Sequence, residues 1–354
     1  MTDLRFDPDK VSGINKILNK KGTALMKNLL AVLMVASLVF CFAGAASAAE
    51  PIKLKLGIND PDSSNYYKGA KAIADEVRKA TNGRVEIAVF PSGQLGNERE
   101  MVEAAMMGTL DMWSAASSVL ANFIPQMKIL DIAFLWDNDR QANACVDGEM
   151  GKLIAAECEK KLNIKLLGWM ESGFRDVFAT RPVKEVKDFK GLKIRTMQNE
   201  YHMAAFNSFG AIATPMAYND VLPALQQGTI DAAENAISNC IASGYYEVTR
   251  HVTRSHHAFV YIPVGVSMAA WNKIPADLRE PFAKAVAKGC KIQRKYLIEA
   301  NNDATKKLKE LGVNIYDIDR AQLQKLYAPK KAEALKKMDP KYVALVEKAI
   351  KENK

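Results

Sequence analysis

The chain has 354 residues, is 49% hydrophobic and 25% charged, and carries a formal net charge of +9. That balance excludes a disordered or low-complexity chain and leaves length for about two domains, each with its own core. The basic excess suits anionic solutes or acidic surfaces, but the lysines lie scattered on helical faces, as in Lys306-Lys307-Leu308-Lys309, which argues against a nucleic-acid groove.

Residues 1–25 are polar and precede a second methionine, Met26, the expected true start. Lys27 is followed by an apolar run of 15 residues, Leu29–Ala43, and then by Ala46-Ser47-Ala48. The run is shorter than the roughly 20 residues of a membrane span, and small residues follow it at signal-peptidase spacing. Residues 1–48 are therefore expected to be an N-terminal extension plus a signal peptide cleaved near Ala48, with a periplasmic destination. Bulky Phe40 before Cys41 argues against lipid attachment. The mature chain, Ala49–Lys354, has 354 − 48 = 306 residues, and loss of six basic and three acidic side chains leaves 9 − 3 = +6. Export permits disulfides among Cys145, Cys158, Cys240 and Cys290, whose three pairings remain open. None has CxxC spacing, so no redox or zinc site is expected.

Alternating apolar residues over Ile52–Gly57 predict a strand, and helical periodicity over Tyr66–Thr81 stops at Asn82-Gly83. Arg84–Phe90 alternates again, giving a βαβ unit and a parallel sheet. A helix over Glu98–Met107 runs into Gly108-Thr109-Leu110-Asp111. A helix over Asn219–Gln227 runs into Gly228-Thr229-Ile230-Asp231, with the two glycines 120 residues apart. One helix–Gly–strand unit used once in each of two lobes explains the echo. Ile164–Met170 and Leu192–Arg195 read as strands, and Glu200–Phe209 as a helix. The chain beyond Pro275 is mostly helical. Two facing α/β lobes would place a ligand cleft between them.

Arg195 stands at the end of an apolar strand, where its planar fork can hold a carboxylate through two parallel hydrogen bonds. Arg175 follows Gly173, which allows close backbone approach. Asn235 closes the second helix–Gly–strand unit and offers a donor and an acceptor. No GxSxG, HExxH, GxGxxG or phosphate loop is present. His202, His251, His256 and His257 read as surface or packing residues. No catalytic group, metal or cofactor is expected. Trp113, Trp136, Trp169 and Tyr218 could stack on a sugar or aromatic ring, although tryptophan more often packs in a core.

The sequence resembles the solute-binding proteins of tripartite ATP-independent periplasmic (TRAP) transporters, of the DctP type. Gly191-Leu192-Lys193-Ile194-Arg195, Gly210-Ala211, Thr214-Pro215-Met216-Ala217-Tyr218, Ala224-Leu225-Gln226-Gln227-Gly228, Asp231 and Glu234-Asn235 carry the resemblance. Pro91-Ser92-Gly93-Gln94-Leu95-Gly96 and Phe134-Leu135-Trp136 support it. It covers essentially the whole mature chain. It implies an α/β, two-lobed periplasmic-binding-protein-like fold with a ligand cleft between lobes and a long lobe-spanning helix. The implied lobe I is 49–172 with 261–300, and lobe II is 173–260 with 301–354. It further implies that Arg195 pairs with a ligand carboxylate, that Arg175 and Asn235 support it, and that Tyr218, Gln198 and Asn59 line the site. The family often has Glu-Asn-Pro where this chain has Glu234-Asn235-Ala236. The matching first-lobe wall is small here, Ala115-Ala116-Ser117-Ser118. The implied partners are a small carboxylate, a sugar acid or C4-type dicarboxylate, and the membrane subunits of a TRAP transporter, with the protein a monomer. A binding protein of an ATP-driven importer or sensor shares the same folding logic. An exported enzyme on organic acids would need an acid–base pair, for which Asp60 and Glu171 are the nearby carboxylates.

Overall fold

Two sheets divide residues 50–354, those that the computed structural model describes, into two lobes. The expected start at Met26, signal peptide and cleavage near Ala48 lie outside the described residues. The first lobe opens with β1 (Ile52–Gly57), α1 (Asn65–Ala80), β2 (Val85–Phe90), α2 (Glu98–Met106), β3 (Met112–Ser114) and α3 (Ser117–Leu120). It continues through α4 (Asp139–Asp147), α5 (Glu149–Leu162) and β4 (Ile164–Phe174). The second lobe contains β5 (Asp176–Ala179), β6 (Lys193–Thr196), α6 (Glu200–Ser208), β7 (Ile212–Pro215), α7 (Val221–Gln226), β8 (Ala232–Asn235), α8 (Ile237–Ala242) and β9 (His251–Arg254). The chain returns through β10 (Phe259–Ser267), α9 (Met268–Lys273) and α10 (Ala276–Glu310). It ends with β11 (Asn314–Asp317), α11 (Arg320–Lys337) and α12 (Pro340–Glu352).

The first sheet has the order β2-β1-β3-β10-β4, with β1 parallel to β2 and β3 and β10 antiparallel to β3 and β4. The second has the order β11-β9-β5-β8-β6-β7, with β6 parallel to β7 and β8. The chain crosses between sheets from β4 to β5, with Arg175 alone between the two strands, and again from β9 to β10. The 35-residue α10 spans both lobes. It buries Phe282, Val286 and Cys290 in one core and Ala304 and Leu308 in the other.

The sequence echo is structural. Gly108 and Gly228 both take positive φ at the ends of their helices, +75° and +69°, a conformation that costs glycine little. Thr109 and Thr229 each close back on the helix, to Ala104 O and Ala224 O, both at 3.1 Å through the hydroxyl. Asp111 Oδ2 accepts from Lys55 N at 3.0 Å on β1, and Asp231 Oδ2 accepts from Lys193 N at 2.9 Å on β6. The same aspartate thus ties the same crossover to the same strand position in each lobe.

Two expectations change. The helix expected over Asn219–Gln227 is a short 3-10 turn, Tyr218–Asp220, followed by α7. Pro223 lacks an N–H and fits only the first turn of a helix, which starts α7 at Val221. The last helix does not join the second lobe as expected: α12 packs on α4 and α5 of the first, where Tyr342, Val346 and Ala349 fill the core beside Cys145 and Val146. Cys145, Cys158, Cys240 and Cys290 are all buried free thiols.

Candidate functional site

The strands of both lobes end at a common cleft. Asn59 and Asp60 follow β1, Glu98 opens α2, Ser172 and Arg175 flank the β4–β5 crossing, Arg195 lies in β6, and Asn235 ends β8. All seven line one small cavity of about 30 Å³, together with Tyr66 and Tyr218. Such a volume holds little more than a water molecule, so the lobes stand closed and must part to admit a solute. Contacts across the cleft hold them. Asn239 Nδ2 donates to Asp60 Oδ1 at 3.4 Å, Asn122 Nδ2 to Gln198 O at 3.0 Å, and Asn199 Nδ2 to Asp131 Oδ2 at 2.8 Å.

The two arginines differ in how they are compensated. Arg175 pairs with Glu234 through Nε and through Nη2, the latter at 3.1 Å to Oε1. Its Nη2 also donates to Glu234 O at 2.6 Å, and Nη1 donates to Asn235 Oδ1 at 2.8 Å and to Ser172 Oγ at 3.2 Å. Arg195 is equally buried, 3% exposed, but Nε and Nη2 meet only the Met216 carbonyl, at 3.0 and 2.8 Å. It forms no ion pair with a carboxylate among the described residues. Burial consequently lowers its pKa, whereas the attraction of Glu234 outweighs burial and raises that of Arg175. A buried guanidinium without a bound carboxylate is costly and attracts an anion.

Asn235 Oδ1 is occupied by Arg175 and by Ala236 N at 2.8 Å, which leaves Nδ2 as the group available to a ligand acceptor. Asn59 is 4% exposed, and neither of its side-chain atoms finds a partner among the described residues. Tyr218 bonds Ser243 through its hydroxyl and lines the cavity. Gln198 differs from expectation: it is exposed and lines a neighbouring recess with Glu98 and Arg195, not the cavity itself. Glu171 is also displaced, facing the far side of β4. Trp113 and Trp136 are core residues, and no tryptophan lines the cavity.

The first-lobe wall carries acid. Glu98 is the first residue of α2, placed by the capping box of Asn97 with Glu100, and its Oε1 accepts from Ala116 N at 2.6 Å. Burial pushes the Glu98 carboxyl up, against the pull of that amide and of Arg195. Asp60 is pushed up to about 7 by burial and by the charge of Glu98. A sequence reading misses Glu98 because an acidic residue in a first helical turn usually needs no ligand. The available signal is its place, directly after a tight glycine loop at the C-terminal ends of parallel strands.

Behind Arg175, the ligand atoms of His202, Glu234 and His257 lie within 4.8 Å of one another, all buried. Burial alone would raise the Glu234 carboxyl, but Arg175 and His257 hold it well below the usual range. The guanidinium on Glu234 opposes a cation there, so the cluster serves to position Arg175.

Residues 56–339 match the family model DctP, bacterial extracellular solute-binding protein, family 7. A solute-binding protein of Verminephrobacter eiseniae is 36% identical over 81% of this chain and 86% of its own. The 2,3-diketo-L-gulonate-binding periplasmic protein YiaO of Escherichia coli is 31% identical over 83% of this chain and 89% of its own. A TRAP periplasmic solute-binding protein of Polaromonas sp. JS666, solved bound to D-erythronate, superposes with a TM-score of 0.80 at 33% identity. That match covers 83% of this chain and 98% of the other.

Proposed function

The chain belongs to the DctP family, bacterial extracellular solute-binding protein family 7, and from that premise we propose that its cleft captures a hydroxylated monocarboxylate of the sugar-acid class for the membrane subunits of a TRAP transporter. One observation carries the reading: Arg195 is a buried guanidinium with no carboxylate among the described residues bonded to it, in a cavity whose opposite wall holds Asp60 and Glu98. The solute carboxylate binds Arg195, with Asn235 Nδ2 and Asn59 as further donors. Its hydroxyls then face Asp60 and Glu98, which accept hydrogen bonds from them. A C4-dicarboxylate would turn its second charge onto those two acids, and like charges so placed repel. Similarity to proteins named for 2,3-diketo-L-gulonate and D-erythronate supports the same class.

Binding to the folded state alone raises the melting temperature. Aldonates and ketoaldonates should shift the melt of the purified protein, whereas succinate and malate should not. A shift with the dicarboxylates alone would overturn the roles of Asp60 and Glu98. No shift with any carboxylate would overturn the assignment of Arg195. The protein recovered from the periplasm should begin at Ala49, and N-terminal sequencing that reads Met26 or a residue before it would overturn cleavage near Ala48.

A further inference from the structure

The crossing strand has two sides, and only one meets the cleft. Ser172 and Arg175 line the cleft, whereas Glu171, Gly173, Phe174 and Asp176 line a second cavity of about 470 Å³. Strand side chains alternate, and a bulge accounts for the two successive residues on one side. The pairing of β4 with β10 shifts register between Val260 and Tyr261, leaving Ser172 unpaired, and Gly173 takes φ +75°. The second cavity is therefore a rear pocket, behind the hinge strands. It is walled by both lobes and by α10, which contributes Leu297 and Ile298.

The first-lobe end of this pocket is acidic. Glu171 is 2% exposed, and its Oε2 makes no hydrogen bond of normal geometry among the described residues, with the neutral amide of Asn143 beside it and no charged donor bonded to it. Asp137 and Asp139 stand at the rim beside it. Burial pushes the Glu171 carboxyl up to about 7, against the pull of Arg294. A buried carboxylate oxygen without a donor is met best by a charged N–H group. Arg254 and His256 stand on the second-lobe wall, which directs a cation to the Glu171 end. A bare metal ion fits poorly. It needs several oxygens at about 2.3–2.6 Å, and the acids of this pocket do not converge as the ligand atoms of His202, Glu234 and His257 do. The volume and the apolar surface of Phe174, Phe259 and Leu297 suit an organic body instead.

We propose that the rear pocket binds a small organic ammonium compound, its nitrogen on Glu171 and its carbon chain against Phe174, Phe259 and Leu297, and that this ligand favours the closed lobes. Closing a hinge narrows one side and widens the other. A ligand of the rear pocket thus selects the form in which the front cleft is shut. By linkage it tightens solute binding by the same factor that the solute tightens its own. This coupling rests on the sugar-acid reading of the cleft; ammonium binding itself does not.

Calorimetry with butylammonium and 1,4-diaminobutane tests it on the purified protein. Saturable binding is expected, weakened about 30-fold or more in Glu171→Gln and retained in Arg195→Ala, whose acid site is lost. Ile298→Trp, at a half-exposed position that leaves the core intact, should also weaken it by partly filling the pocket. With amine saturating, the Kd for the acid should fall by about fivefold or more. No saturable amine binding, or binding unchanged in Glu171→Gln, overturns the site. Amine binding through Glu171 with an unchanged acid Kd overturns the coupling.

Discussion

Arg175 and Arg195 show how far residue type alone carries an assignment. Both face the cleft and both are buried, yet Arg175 has its hydrogens committed to Glu234, Asn235 and Ser172. Removal of Arg195 should therefore strike binding, and removal of Arg175 should strike the fold as well, because it leaves the buried Glu234 with only His257 beside it. For Arg195→Ala, loss of a buried charged hydrogen bond costs about 2–5 kcal/mol, or roughly 30-fold to several thousand-fold in Kd. Titration calorimetry with the bound acid measures it, and a Kd within threefold of the unmodified protein's would remove Arg195 from the site. Arg195→Lys should not restore affinity, since a point charge cannot reproduce the planar fork. Arg195 and Asn235 were cleft candidates from their places at strand ends, and Asn59 from the family resemblance alone; all three line the cavity. The neutralisation of Arg175 was not, because its partner Glu234 lies 59 residues away on another strand. Glu98 was hidden by its ordinary place in a helix, and Gln198, implied by the family resemblance, lines the recess next to the cavity, because a matched position does not fix which way a loop residue faces.

At the scale of elements, the strands read from alternation came out close to their expected limits, Ile52–Gly57 at both ends. The helices read from periodicity shifted by a residue or so at their ends, where caps decide. Sequence pattern could not show how α1 and α10 approach. A Cβ on Gly69 would lie 2.4 Å from Gln293 Cβ, and one on Gly289 would lie 2.6 Å from Ile73 Cα. Each glycine thus admits the other helix almost to its backbone. The approach lets Gln293 reach Asn65 Oδ1 at 2.7 Å and the backbone of Glu171 at 2.9 Å through both its amide groups, pinning α10 to the strand that carries the hinge. Gly289→Ala gains about 1 kcal/mol of helix propensity but must displace backbone, and overpacking costs about 1–3 kcal/mol or more. The net should be destabilising, read as a lower urea midpoint with unchanged slope. An unchanged or raised midpoint would show that the helices have slack here.

The whole molecule concentrates buried carboxyls around the hinge, and this gives its stability a pH dependence of definite sign. Burial pushes Glu171 and Asp176 up to about 7 on the rear side, and burial with the nearby Glu98 does the same to Asp60 in the cleft. Their ordinary values are 4.5 for Glu171 and 3.8 for the two aspartates. Between those values and 7 the folded state binds more protons than the unfolded one, so stability falls as pH rises through the folded values. Histidines act oppositely below their ordinary value of 6.5: burial lowers His256 and His257, and protonation of the unfolded chain then favours unfolding. Above pH 6.5 the folded histidines are neutral, while those of the unfolded chain are still about half protonated at 6.5 and lose that proton by pH 8, which offsets part of the acids' effect. From pH 6.5 to 8 the two fully buried acids each lose somewhat under 1 kcal/mol, and Asp60, partly open to solvent, loses less; the unfolded histidines return part of this, for a net loss on the order of 1 kcal/mol. For a chain of this size that is a fall of about two to three degrees in melting temperature. Melts in one buffer series across that range measure it, and Glu171→Gln should flatten the slope by removing one titrating group. A melting temperature that holds or climbs from pH 6.5 to 8 would mean that these carboxyls are solvated in the dominant form. The lobes would then stand open in solution without solute, and closure would be driven by the solute itself.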